Sequence, residues 1–399
     1  MLKISRLRAI QLEARFADVF GGIDKVPAEL LAPAAHFRRI PRTGQVATLV
    51  VVESDDGAIG YGEAFGLPHA GAATAIINGV IAPALIGATI ADPREMLGDL
   101  ERYFTAMGST RGPAIEALSG VDIALWDLKA RAAGLPLATL LGGSPGPVAT
   151  YVSPVGFQDH PDKSARAARA YLDQGYTAIK LKVGRGLATD IEHIAAVRGE
   201  IGPGAALYLD ANCAYDVATA ITVAKALTPY DIGWFEEPVP PDDPQALAQV
   251  RKASPVPIAA GENDFTLDAH ARLVAADAVD FLQPNISRAG GVSGLMAIGA
   301  LCARSGIRMA PHGVGTCVAV SAAVHTCRAA PAVHAYEANR LLNPLRDNMA
   351  VRPLITEGGQ LVAQDAPGHG GEPDLGRLSR YAVNGLGETE ERAHVHLGA

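Results

Sequence analysis

Eight short apolar runs, separated by helix-length amphipathic segments, recur through the middle of this chain, and that alternation is compatible with few folds. The runs fall at 149–155, 177–183, 206–210, 233–236, 257–261, 281–283, 308–310 and 333–336. Eight strands with helical intervals over about 200 residues fit a (β/α)8-type barrel better than an open doubly wound sheet, which has fewer strands and a glycine-rich first turn. Gly184-Arg185-Gly186 and Gly313-Val314-Gly315 each lack the third glycine of a dinucleotide fingerprint and read as loop glycines.

The residues before the barrel read differently. An alternating run over 45–52, closed by Asp55-Asp56-Gly57, predicts a small antiparallel sheet whose first strand lies in the opening Met1 to Arg8 stretch. That stretch lacks the uninterrupted apolar core of a signal peptide. Between the strands, 16–42 carries Gly21-Gly22, three prolines and a tip of His36, Phe37, Arg38 and Arg39. It is too irregular for a core element and too long for a simple hairpin loop, as lids often are. From 112 to 133, Ile115, Leu118, Val121, Leu125, Trp126 and Leu128 predict a buried amphipathic helix ended by Gly134 and Pro136. After about 354 the chain becomes loop-rich, then polar, and is expected to return to the first domain.

Composition removes several function classes. A net charge of −8 without a dense run of Lys or Arg argues against nucleic acid and anionic membranes as partners. No uncharged apolar run approaches the roughly 18 residues of a membrane span. Cys213, Cys302, Cys317 and Cys327 lack zinc or thioredoxin spacing, so the expectation is a cytoplasmic protein with thiols used for packing.

In a barrel the C-terminal strand ends face the active site, and polar residues cluster at those ends here. Strand two ends in Lys180-Leu181-Lys182, strand three in Asp210-Ala211-Asn212, strand four in Glu236-Glu237-Pro238 and strand five in Gly261-Glu262-Asn263. Strands six, seven and eight supply Asn285, His312 and Glu337. Asp210, Glu236 and Glu262 recur every 26 residues, one βα unit per step, and should converge. Any one such acid is more simply a helix cap or an ion-pair partner. Three in register repel one another unless a cation holds them, and an all-oxygen set suits Mg2+ first. Lys180 and Lys182 share the inward face. Beside a divalent metal, Lys182 can have a lowered pKa and act as a base, while Lys180 can orient a substrate carboxylate. His312, across the barrel from strand two, can serve the other face of a substrate, although a single histidine is more often structural.

Over essentially its whole length the chain resembles the mandelate racemase subgroup of the enolase superfamily. The resemblance rests on Lys180 and Lys182, Asp210-Ala211-Asn212, Trp234-Phe235-Glu236-Glu237-Pro238, Gly261-Glu262, Gln283-Pro284-Asn285 with Gly290-Gly291, Pro311-His312-Gly313, and Glu337 with Asn343-Pro344-Leu345-Arg346. Ala124-Leu125-Trp126-Asp127-Leu128 and Leu140-Leu141-Gly142-Gly143 add to it. It implies a modified TIM barrel, (β/α)7β, with an α+β capping domain formed by the N-terminal region and the C-terminal tail. The implied boundaries are 1–133 for the cap, 134–354 for the barrel and 355–399 for the returning segment. It also implies one Mg2+ per subunit on Asp210, Glu236 and Glu262, and a homo-oligomer, often an octamer. In such enzymes the metal and a lysine hold a substrate carboxylate, a base removes the adjacent α-proton, and Mg2+ stabilises the enediolate. By position, Lys182 is one base, His312 the acid or base opposite, and Glu337 a hydrogen-bonding partner of the carboxylate. Asn212 and Glu237 take substrate-contact or supporting positions.

One position departs from that pattern. The subgroup pairs the histidine with an aspartate at the end of strand six, and this chain has Asn285. An amide orients the ring but does not stabilise imidazolium, so His312 should have a lowered pKa and be a weaker base. Dehydration or cycloisomerisation can start from the lysine face alone, whereas racemisation needs bases on both. The expected activity is therefore a Mg2+-dependent lyase or isomerase acting on an aldonate, an aldarate or its lactone. The alternatives are a racemase or epimerase, and a non-catalytic carboxylate-binding homologue. In this family, substrate identity lies in the capping loops, here 16–42 and 64–71, where His36, Arg38, Arg39 and Arg42 can meet the far end of the acid.

Overall fold

The computed structural model describes residues 2–385. β1 (Ile4–Arg15), β2 (Gly44–Ser54) and β3 (Ile59–Phe65) form an antiparallel sheet in that order. The Asp-Asp-Gly turn joins β2 to β3, with Gly57 at φ 88°. Residues 16–42 link β1 to β2 through four short helical turns, Phe16–Phe20, Ile23–Lys25, Ala28–Leu31 and Ala35–Phe37. Two longer helices follow, α1 (Pro93–Ala106) and α2 (Pro113–Ala132).

β4 (Gly146–Val148) leads into a barrel of eight parallel strands: β5 (Thr150–Val155), β6 (Ala178–Lys182), β7 (Ala206–Asp210), β8 (Ile232–Glu236), β9 (Ile258–Ala260), β10 (Phe281–Leu282), β11 (Arg308–Met309) and β12 (Tyr336–Asn339). Seven helices alternate with them: α3 (Pro161–Asp173), α4 (Leu187–Ile201), α5 (Val217–Ala226), α6 (Pro244–Ala253), α7 (Leu267–Ala275), α8 (Gly291–Ser305) and α9 (Cys317–Cys327). This is the (β/α)7β order. β12 pairs with β5, and an isolated bridge between Met309 and Val333 joins the remaining side.

The first seven strands lie within one residue of their sequence-read limits; the eighth does not. Its expected span was 333–336, but Ala332 takes a left-handed turn at φ 61° and pairing with β5 begins only where Tyr336 N–H donates to the Ala149 carbonyl. Glu337 therefore lies inside the strand rather than beyond its end.

α2 also differs from expectation. It is not amphipathic: it is buried on nearly every side, with Glu116, Asp122 and Asp127 among its buried residues. The reason is that it lies between β3 of the cap and α8 of the barrel. Gly62 faces it so closely that the Gly120 carbonyl lies where a Cβ would sit. Each buried acid ties down a neighbour. Glu116 pairs with Arg288 at 3.2 Å, Asp122 accepts from Ser293 Oγ at 2.6 Å, and Asp127 accepts from Tyr61 N–H at 3.0 Å and His369 N–H at 2.8 Å.

After the barrel, β13 (Thr356–Glu357) and β14 (Gln360–Ala363) form a second small antiparallel sheet with β4. The chain then reaches the cap, where Val383 N–H donates to the Gln11 carbonyl at 3.0 Å. Residues 386–399 of the expected returning segment, like Met1, lie outside the described residues. Among the described residues no helix is long and apolar enough to cross a membrane.

Strand alternation sorts the barrel side chains. Ile179, Leu181, Leu207, Leu209 and Phe235 pack outward in the main core with the helices. Tyr151, Tyr208 and Trp234 form a separate cluster inside, the Tyr208 and Trp234 rings stacked at 3.5 Å and Tyr151 edge-on to Trp234 at 5.0 Å. This plug closes the barrel beneath the next inward residues of these strands, Ser153, Asp210 and Glu236, which lie just behind the floor of an open mouth.

Candidate active site

Lys182, Asp210 and Glu236 are the last residues of three adjacent strands, and the parallel register sets them side by side. Glu262 follows β9 by two residues. Oxygens of Asp210, Glu236 and Glu262 all lie within 4.8 Å of one another, Asp210 and Glu236 fully buried and Glu262 9% exposed. Burial, followed by repulsion from Asp210, pushes the Glu236 carboxyl well above the carboxylate range. Burial opposes ionisation of Asp210 too, but Lys182 and Lys180 hold it far below that range. Glu262 Oε2 is buried without a hydrogen bond. An orphaned carboxylate oxygen in an all-oxygen donor set is what a hard divalent cation requires, so these residues fit Mg2+.

Lys180 is fully buried beneath the acids. Its Nζ lies 2.7 Å from Glu236 Oε1, 3.2 Å from Glu337 Oε1 and 3.5 Å from Asp210 Oδ2. It does not form part of the cavity wall among the described residues, so here its partners are protein carboxylates. Lys182 does reach the wall. Its Nζ donates to Asp210 Oδ2 and, at 2.9 Å, to Asn212 Oδ1. The sequence reading has its pKa lowered beside a cation. In the structure burial is the largest influence and acts in that direction, but the Asp210, Glu262 and Glu236 carboxylates together outweigh it and hold the ammonium charged.

On the opposite side, His312 Nε2 lies 3.3 Å from Glu262 Oε2 and 3.8 Å from Glu337 Oε2. Its pKa is lowered as expected, burial being the largest cause. The amide of Asn285 is oriented by groups whose roles are fixed. Oδ1 accepts from Ser287 N–H at 2.9 Å, and Nδ2 donates to the Val314 carbonyl at 3.0 Å. Nδ2 therefore also faces His312 Nδ1, at 2.9 Å. The ring nitrogen it meets is an acceptor, and the proton of the neutral imidazole sits on Nε2. Glu337 Oε2 accepts from Gly313 N–H at 3.0 Å, and although burial opposes it, Lys180 and His312 hold this carboxyl down to about 2.

Asn212, Cys213 and Glu237 have φ of 43°, 61° and 39°, a left-handed backbone that is uncommon outside glycine and clusters here at the cavity wall. Burial, with the nearby Glu262 and Asp210 charges, raises the Glu237 carboxyl to about 8; it accepts from both Asn263 Nδ2 and Cys213 Sγ. Cys213 thus belongs to the cavity wall, unlike the three fully buried cysteines.

The cavity measures about 570 Å3. Its floor is barrel: Lys182, Asn212, Glu237, Glu262, His312 and Glu337. Its roof is cap: His36, Phe37 and Arg42 from the 16–42 loop, with Phe65, Leu67 and Pro68 from the second loop. Asp210, Glu236 and Asn285 lie behind the floor. Arg38 is not part of the wall; its guanidinium lies 5.3 Å over the Phe157 ring.

Sequence reasoning missed Arg288, which stands within the recognised stretch between Asn285 and Gly290. It lies 3.9 Å over Phe65, donates to Asn263 Oδ1 at 2.8 Å and pairs with Glu116. Its signal was a lone cation among small and apolar residues. It also missed Glu63, an acid in the apolar β3, which accepts from Thr316 N–H at 3.0 Å and Ala319 N–H at 3.0 Å and so fixes the start of α9 just after His312.

The family model for the mandelate racemase / muconate lactonizing enzyme N-terminal domain matches residues 31–142, and that for the enolase C-terminal domain-like fold matches residues 163–377. The chain is 34% identical over 350 residues to a D-galactarolactone cycloisomerase from Agrobacterium fabrum, spanning 84% of this chain and 91% of that one. It is 34% identical over 316 residues to an L-talarate/galactarate dehydratase from Salmonella typhimurium, covering 77% and 76%. A racemase from Streptomyces coelicolor solved with bound magnesium superposes with a TM-score of 0.84 at 29% identity, covering 96% of this chain and all of that one (100%).

Proposed function

The chain belongs to the mandelate racemase / muconate lactonizing enzyme family of the enolase superfamily, and from that premise we propose that it eliminates a β-substituent from an acid sugar after removing the α-proton from the Lys182 side. It is an enzyme of the lyase or isomerase class, as its dehydratase and cycloisomerase relatives are. Asp210, Glu236 and Glu262 would hold a divalent cation, which would supply positive charge against the negative charge that builds up on the substrate carboxylate.

The chain's own residues do the rest. Lys182 takes the α-proton as the free amine, the form it would reach once a divalent cation shared the Asp210 carboxylate that keeps it charged, and Asn212 Oδ1 holds the resulting ammonium. Lys180 and Glu337 form the charged base of the site, with Glu337 next to the carboxylate. His312 presents Nε2–H to the other face.

The observation that carries this reading is the Asn285 amide. A ring held as an Nε2–H donor cannot accept a proton at Nε2, so the face opposite Lys182 has no base and racemisation lacks half its machinery. The same donor is a poor acid, because giving up its proton would leave imidazolate. A departing hydroxide needs that proton; a departing carboxylate does not. The substrate favoured first is therefore a sugar-acid lactone. Lys182 removes the α-proton, the bond between the ring carbon and the acyl oxygen breaks to release a carboxylate, and the enol takes a proton at the neighbouring carbon to give a 2-keto-3-deoxy diacid. Atoms balance, so the step is a cycloisomerisation.

The test is turnover in D2O with Mg2+ on D-galactarolactone, galactarate and galactonate, reading 2-keto acid and α-deuterium. Keto product from the lactone, lost with EDTA and in Lys182→Ala, is expected. Recovered substrate carrying deuterium with inverted configuration would overturn the elimination and establish an epimerase.

A further inference from the structure

Arg42 is 7% exposed, forms part of the cavity wall, and has no carboxylate partner among the described residues. Its Nε donates to the Gly44 carbonyl at 3.3 Å and Nη2 donates to Gln45 Oε1, while Nη1 has neither a hydrogen-bond nor an ionic partner among the described residues. Leaving a buried guanidinium without an anion is costly, and its pKa is lowered to about 10 by burial and by Arg346. It remains charged at neutral pH.

The other charges near it are already matched. Arg346 is held by Asp347 through two bonds, 2.8 and 2.9 Å. Glu13, an acid on the same wall, pairs with Arg15 at 3.1 Å. Glu63, which shares a smaller adjoining pocket with Arg42, accepts from the Thr316 and Ala319 amides. Around Arg42 the wall is apolar, with Phe37, Ile40, Leu67 and Leu341. One cation is left over in an apolar roof, facing a barrel floor where the first carboxylate is handled.

We propose that Arg42 receives a second carboxyl group at the end of the substrate remote from Lys182, and so selects six-carbon diacids and their lactones over aldonates. The inference rests on the elimination reading for the first carboxylate but has its own test. In a diacid this group is a free carboxylate. In a lactone it is the acyl group that becomes charged as the ring opens.

Galactarate and galactonate differ only at that end, carboxylate against hydroxymethyl. Calorimetry with Mg2+, in a Lys182→Ala background that prevents turnover, should show galactarate binding about 10- to 100-fold tighter, as a charge-assisted bond in a dry site warrants. Arg42→Gln should remove the preference while leaving galactonate affinity within about twofold, and Arg42→Lys should keep part of it. The ratio is insensitive to a misfolded fraction. Equal affinities for the two acids, binding of neither, or a preference that survives Arg42→Gln would overturn the proposal. Otherwise wild-type turnover of the lactone separates the two sources of charge. A loss of lactone kcat in Arg42→Gln, with Lys182 intact, shows that Arg42 also meets the charge formed on ring opening, and an unchanged kcat confines its role to the bound diacid. Failure of the elimination reading shows separately, as absent 2-keto product from wild-type protein whose diacid preference persists.

Discussion

Asn285 donates through Nδ2 to His312 Nδ1 at 2.9 Å, so a ring that would otherwise be free to exchange protons points a fixed N–H into the cavity. Two backbone groups hold the amide that way round, and reversing it would leave Ser287 N–H and the Val314 carbonyl facing like partners. Asn285→Asp exchanges the donor for an acceptor. The carboxylate should raise the His312 pKa, move the ring proton to Nδ1 and free Nε2 as a base. Exchange of the α-proton from the second face should then rise by about 100-fold, read as inverted, deuterated substrate in D2O. No gain in inversion would mean that the histidine is not positioned against the α-carbon.

Glu262 offers the cleanest test of the acid triad, because its Oε2 makes no hydrogen bond that a substitution would break. Mg2+ at 100 times its Kd should stabilise the protein by about 2.7 kcal/mol, seen as a higher melting temperature. Glu262→Gln should fold, melt no lower than the metal-free wild type, and lose most of the Mg2+ response. A response of full size in the variant would place the cation elsewhere.

Glu63 should leave a signature in the pH dependence of stability. Burial is the largest influence on it and raises its pKa from 4.5 to about 6, despite the donors from Thr316 and Ala319. Between those values the folded state binds more protons than the unfolded, so stability is greatest below 4.5 and declines as pH rises through 6, by about 2 kcal/mol from this group. Denaturant unfolding at several pH values should show that decline in the wild type relative to Glu63→Gln. Parallel profiles would mean that the carboxyl titrates normally.

Gly62→Ala tests the packing of β3 on α2 inside the cap. A Cβ at Gly62 would meet the Gly120 carbonyl oxygen at 2.0 Å and Ala124 N at 2.6 Å, both backbone atoms of α2 that cannot move alone. The substitution should destabilise the protein by about 3 kcal/mol or more, as overpacking does at its upper end. Melting within a degree of wild type would show that β3 can lift from the helix.

Much of the fold could be read from pattern. Short apolar runs with intervening helical segments identified seven barrel strands to within one residue, because a strand packed on the barrel interior on one side and on helices on the other is buried on both faces. That pattern failed at Tyr336–Asn339, where pairing with β5 sets the register and the local run of apolar residues does not. At α2 the burial and the limits were legible, but not that its acids are buried too, because each meets a partner far along the chain.

The candidate site divides in the same way. The chain by itself determined that Asp210, Glu236 and Glu262 would meet, since one residue at the end of each successive strand must point into one mouth. It also determined that Asn285 replaces an aspartate beside His312. Which tautomer that replacement imposes depends on Ser287 and Val314, and which of four basic residues in one loop enters the cavity depends on where the cap lies. Arg42 was left in the wall without an anion, while Arg38 went to Phe157. Strand periodicity is a local property written along the chain. The direction of a hydrogen bond and the presence or absence of a counter-charge depend on distances between residues that only the folded chain brings together.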